Sequence, residues 1–121
     1  MYISEEITTI HGDIKLCLLS LHGTLELSTV LSLKTRLSRL LSEGEQRIII
    51  DLGQVTFIDS SGITTLVVST REAKSQQGSI LITNLSPKIA YTFEITMMEE
   101  VLEIYPSREE AIQSFLLGDT D

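Results

Sequence analysis

The nine residues Val55-Thr56-Phe57-Ile58-Asp59-Ser60-Ser61-Gly62-Ile63 constrain this chain more than any other stretch. An apolar run of strand composition ends in a carboxylate, two hydroxyls and a glycine, and a helical pattern begins at once. A strand therefore drives directly into the N-terminus of a helix. Backbone N–H groups are unpaired at such a junction and the helix dipole tolerates negative charge, so a hydroxyl displayed there can gain and lose a phosphate without unfolding the domain.

Strand and helix patterns alternate along the rest of the chain. Residues 3–10 and 14–21 read as strands around His11-Gly12-Asp13, a hairpin, with His22-Gly23-Thr24 breaking the second run. From about Ser28 to Glu43, Val30, Leu33, Leu37, Leu40 and Leu41 have helical spacing, and Gly44 is a natural stop. Ile48-Ile49-Ile50 has the continuous apolar character of a strand buried on both faces, and Gly53-Gln54 is expected to turn the chain into the junction. The next helix shows Ile63, Leu66, Val67, Thr70 and Ala73 on one face, with Gly78 as its stop, before a short strand at Ser79–Thr83. Ser86-Pro87 opens a helix expected to reach Ile95, and Val101–Tyr105 is a last strand. Ser107-Arg108-Glu109-Glu110 is a capping box for a final helix with Ala111, Ile112, Phe115 and Leu116 inward. The pattern predicts a single α/β domain over residues 1–117, with a central mixed sheet, mostly parallel after an N-terminal hairpin, and about four helices. Residues 118–121 are expected to be a flexible tail.

At 121 residues the chain can bury a real core without staples, and with 5% aromatic residues and no Trp that core should be aliphatic. A net charge of −8 argues against nucleic acid or an anionic membrane as a direct partner and suits a partner with a basic docking face. The lone Cys17 excludes an internal disulfide and a thiolate zinc site, and its apolar surroundings point to a small core residue. The first residues carry acid where a secretory signal needs base, and no run approaches membrane-spanning length, so a cytoplasmic protein is expected.

Enzyme motifs are missing from the sequence. It holds no GxGxxG, no phosphate-binding loop with its lysine and no G-x-S-x-G turn, and its two histidines lack metal-ligand spacing. No catalytic residue, cofactor or metal is therefore expected. On the residues alone, Asp59-Ser60-Ser61-Gly62 is equally a helix N-cap and nothing more. Ser61, Thr65, Ser69 and Glu72 extend a small polar face from the junction, opposite the apolar stripe, suited to docking a protein.

Phe57-Ile58-Asp59-Ser60-Ser61-Gly62-Ile63 resembles the signature of the STAS family, nearest to the free-standing anti-sigma factor antagonists of bacteria. Gly23-Thr24-Leu25-Glu26, Ile49-Ile50-Asp51-Leu52, Asn84-Leu85-Ser86-Pro87 and Ile104 to Ala111 resemble further family segments in order, so the likeness covers nearly the whole chain. The resemblance implies that Ser60 is a phosphorylation site. It also implies that the unphosphorylated protein binds an anti-sigma factor with serine kinase activity and so frees the sigma factor. Phosphorylation breaks the pairing, and a serine phosphatase resets it. Glu26, Asp59, Ser60, Ser61, Gly62, Thr65 and Ser69 are the expected partner-binding residues.

Two positions depart from the family pattern. Glu26 replaces the usual Asp, and Met97 stands at a usual glycine, so no left-handed turn is expected there; the Met97-Met98 pair is expected to fill core gaps. Rival readings are a scaffold subunit of a stress-signalling complex, a soluble STAS adaptor of a membrane transporter, and a nucleotide-binding module, for which the chain has no phosphate loop. The oligomeric state is left open.

Overall fold

The computed structural model describes residues 1–117, so the expected tail at 118–121 lies outside the described residues. Five strands form one sheet in the order β1-β2-β3-β4-β5: β1 Tyr2–Ile10, β2 Ile14–Leu25, β3 Arg47–Ile58, β4 Ser79–Thr83 and β5 Glu103–Tyr105. The β1–β2 pair is antiparallel and the remaining pairs are parallel. Among the described residues, four helices, α1 Val30–Ser42, α2 Ser60–Ser75, α3 Pro87–Ile95 and α4 Arg108–Leu116, supply the crossovers and the last layer, with a 3-10 turn at Met98–Glu100.

The strand runs are apolar on consecutive positions because both faces of the sheet are covered. Cys17, Leu19, Leu21, Ile48, Ile50, Ile80 and Ile82 join the larger core, with Leu33, Leu37 and Leu40 of α1, Leu66 of α2 and Phe93 of α3. The alternate positions Leu16, Leu18, Ile49 and Leu81 face the other way and pack on Ala111 and Phe115 of α4. Arg36 and Arg39 tie α1 to the edge strand through Glu5, at 2.9 and 2.8 Å.

Two expected breaks are bulges instead. β2 runs unbroken through His22-Gly23-Thr24, with Gly23 at φ +115°, and β3 runs unbroken through Gly53-Gln54. The register of β2 on β3 shifts between Ser20 and His22 and again between Gly23 and Thr24, each time with an extra residue on β3. At the first shift Asp51 accepts a hydrogen bond from the Gly53 N–H at 2.7 Å, a side-chain turn that gives the backbone an alternative to the ladder.

Helix ends differ in detail. α1 begins at Val30 rather than near Ser28, because the Thr29 hydroxyl donates to the Thr24 carbonyl at 2.7 Å and accepts from the Glu26 N–H at 2.9 Å, holding a tight turn before the helix. At the end of α2 the left-handed residue is Gln77, at φ +65°, not Gly78. Gly78 answers a different need, since a Cβ there would stand 2.9 Å from the Gln46 carbonyl. Met97 does adopt the left-handed conformation, φ +59° and ψ +29°, and is exposed; only Met98 packs against the core. The last strand starts at Glu103 because the 3-10 turn takes up the residues before it.

Candidate functional site

β4 pairs with β3 only as far as Asp51, so the rest of β3, up to Ile58, projects as a two-stranded ribbon with the end of β2. Asp59 sits at the tip of this ribbon in extended conformation and caps α2. Its Oδ1 accepts from the Gly62 N–H at 3.0 Å and its Oδ2 from the Leu27 N–H at 3.1 Å. Its own N–H donates to the Leu25 carbonyl at 3.2 Å. One carboxylate thus joins the first turn of α2 to the turn between β2 and α1. The Gly62 N–H above all, helped by the Leu27 N–H and against some desolvation, holds the Asp59 carboxyl below its ordinary range.

Ser60 is the first residue of α2 and is exposed. Ser61 and Thr65 are half-buried, and the Thr65 hydroxyl donates back to the Ser61 carbonyl at 2.9 Å. Glu26 lies in the turn that Asp59 grips, its carbonyl accepting from the Thr29 and Val30 N–H groups. The structure therefore brings Glu26, Asp59, Ser60, Ser61 and Thr65 to one end of the molecule.

Two expected contact residues do not lie on the surface. Ser69 is only 5% exposed. Gly62 is buried too, and a Cβ there would stand 2.4 Å from the Leu25 carbonyl and 2.8 Å from the Ile58 side chain. Its glycine serves close packing of α2 on the ribbon. The polar stripe on α2 failed as a guide because the helix is covered on more than its apolar face.

Sequence reasoning missed the contribution of α1. Val30 and Lys34, one turn apart, line an open depression of about 280 Å³ together with Leu27, Ser60, Ser61, Thr64 and Thr65. The i, i+4 spacing of Val30 and Lys34 was the available signal, but only the packing of α1 beside α2 shows what it faces. A larger cavity of about 610 Å³ opens at the other end of the sheet, near Arg47, Lys74 and Ser79, where β3 and β4 begin. His22 lies with its ring 5.2 Å from that of Tyr2. Among the described residues no three His, Cys, Asp or Glu side chains group as a metal site, and no helix is long and apolar enough to cross a membrane.

The chain belongs to the STAS domain family, whose family model matches residues 6–111. It is 26% identical over 95 residues to BtrV of Bordetella bronchiseptica, which is named as an anti-sigma factor antagonist; the match covers 78% of this chain and 82% of BtrV. It is 26% identical over 113 residues to the anti-sigma-B factor antagonist of Bacillus subtilis, covering 93% of this chain and all of that one. Its fold resembles that of the anti-sigma factor antagonist SpoIIAA in its unphosphorylated form, with a TM-score of 0.67 at 20% identity over 95% of this chain and 99% of the other. The phosphorylated form of the Bacillus SpoIIAA gives 0.65 at 21% identity over 93% and 99%.

Proposed function

We propose that this STAS-domain protein is an anti-sigma factor antagonist switched by phosphorylation of Ser60. The observation that carries the reading is the exposed Ser60 hydroxyl at the first position of α2, beside an Asp59 whose carboxylate is already engaged by two backbone N–H groups. The hydroxyl stands clear of the core and is free for a kinase to reach. The names of two relatives and the two forms of SpoIIAA support the same reading.

In this reading the unphosphorylated protein acts in the cytoplasm and docks on an anti-sigma factor with serine kinase activity, releasing the sigma factor. The kinase supplies ATP and magnesium; this chain is substrate and ligand, not catalyst. A phosphate on Ser60 adds about −1.5 to −2 charges, and a charge left desolvated and unpaired in an interface costs several kcal/mol. That is enough to end binding until a serine phosphatase resets the site. Glu26, Asp59, Ser61 and Thr65 form the rim that the partner covers.

Incubation with the cognate kinase and ATP tests the assignment. Wild type should be labelled and Ser60→Ala should not, while Ser60→Ala should keep its affinity for the kinase. Labelling confined to Ser61, Thr64 or Thr65 would overturn it.

A further inference from the structure

Leu27 and Leu31 are 76% and 70% exposed. Exposed leucines are ordinary when scattered. These two are not scattered: Leu27 lines the depression that holds Ser60, and Leu31, exposed on α1, stands three residues before Lys34, which lines it too, and so beside it on the helix surface. Leu27 is also held in place, because its N–H donates to Asp59 Oδ2 at 3.1 Å. An apolar group presented by a fixed backbone loses little conformational freedom on binding. Lys34, one turn beyond Leu31, lines the same depression. Among the described residues it has no carboxylate within ion-pair distance, unlike Arg36 and Arg39 on the same helix, which share Glu5.

We infer that Leu27, Leu31 and the Lys34 ammonium form the contact that carries affinity for the partner, which presents an apolar socket bordered by a carboxylate. The inference rests on the function proposed above and specifies the chemistry of the partner surface. Charge decides the occupant. A second copy of this chain would bring two molecules of net charge −8 together, and a two-fold pairing through this patch would set Lys34 near its own counterpart. An anionic membrane is repelled by the same net charge. A partner that is basic overall, with one acid at the socket, satisfies both the long-range field and the free ammonium. The patch also borders the Ser60 hydroxyl, so a phosphate there would enter the region that the leucines need to desolvate.

Calorimetry of the full chain with its cognate anti-sigma factor tests the inference. The Leu27→Ala/Leu31→Ala double variant should lose about a hundredfold in affinity, as expected for two leucines withdrawn from an apolar socket. Lys34→Glu should lose about tenfold or more, Lys34→Arg should retain binding, and Lys34→Ala should weaken the salt dependence. All three side chains are exposed, so melting temperatures should stay within about 2 °C of wild type. If wild type binds and the double variant binds as well as wild type, the patch is wrong and the proposed function stands. If wild type binds no anti-sigma factor, both fall. Self-association of wild type in sedimentation that disappears in the double variant would assign the patch to a second copy and overturn the inference.

Discussion

Asp59 holds two chain segments with one carboxylate, and its acid–base behaviour follows. Its folded value is depressed, so its stabilising contribution is present above the ordinary aspartate value of 3.8 and is lost as pH falls through the lower folded value. Asp59→Asn should flatten the acid limb of a stability-versus-pH curve, while Asp59→Ala should also lower the melting temperature by about a few degrees through loss of the cap. Equal acid sensitivity in wild type and Asp59→Asn would remove this role. Gly62 makes a second residue-scale case. The clash of any Cβ with the Leu25 carbonyl means that Gly62→Ala should destabilise by about 1–3 kcal/mol in urea titration, and Gly62→Val by more. A weakened partner affinity in Gly62→Val would then report a disturbed ribbon, not bulk at an interface.

α4 depends on a polar tie as well as on Phe115. The Arg108 Nε donates to Asp51 Oδ2 at 2.7 Å, and its Nη2 donates to the Ser20 hydroxyl. Asp51 Oδ1 is taken by the Gly53 N–H and by the Asn84 amide at 3.2 Å. This node joins β2, β3 and the end of β4 to the first turn of α4, at the point where β3 leaves β4 and begins the projecting ribbon. Arg108→Ala leaves a largely buried carboxylate short of its cation. It should cost about 1–2 kcal/mol, the lower part of the usual range, since the guanidinium itself is partly exposed. Faster amide exchange in α4 than in α1 would show that the loss is local to this element, whereas uniform acceleration would show that the tie supports the whole sheet.

Over the whole molecule, the helices α1, α2 and α3 cover one sheet face and α4 the other, so the switch site lies on a scaffold that is packed on both sides. The charge of a phosphate is opposed by neighbouring Asp59 and offset by the α2 N-terminus, the latter by about 0.3–1 kcal/mol at an exposed position. The Ser60→Asp form should therefore melt within a few degrees of wild type and still lose the kinase. A collapse of the melting temperature would mean that the switch works by unfolding. Cys17, fully buried near the start of β2, reports on the same question. Burial, with Glu5 beyond it, pushes its thiol up to about 11. It should resist thiol reagents at pH 8 in both forms and react only as the protein unfolds.

The strand and helix identities, the α/β class, the caps at Asp59, Ser86 and Ser107 and the exposed place of Ser60 were all legible in the sequence. They depend on periodicity and on the local chemistry of helix ends, which act over a few residues. Tertiary packing alone decided the rest. Gly53 and Gly23 looked like chain breaks, yet each sits in a bulge, because pairing between β2 and β3 outweighs a local turn preference. Met97 takes a left-handed turn that its side chain disfavours, because the chain must close α3 onto the following 3-10 turn. Ser69 is buried, and Lys34 joins the Ser60 site, because contacts between α1 and α2 are made by residues far apart in sequence. A pattern confined to one helix shows which of its faces is apolar, but only the neighbouring elements determine what covers the others.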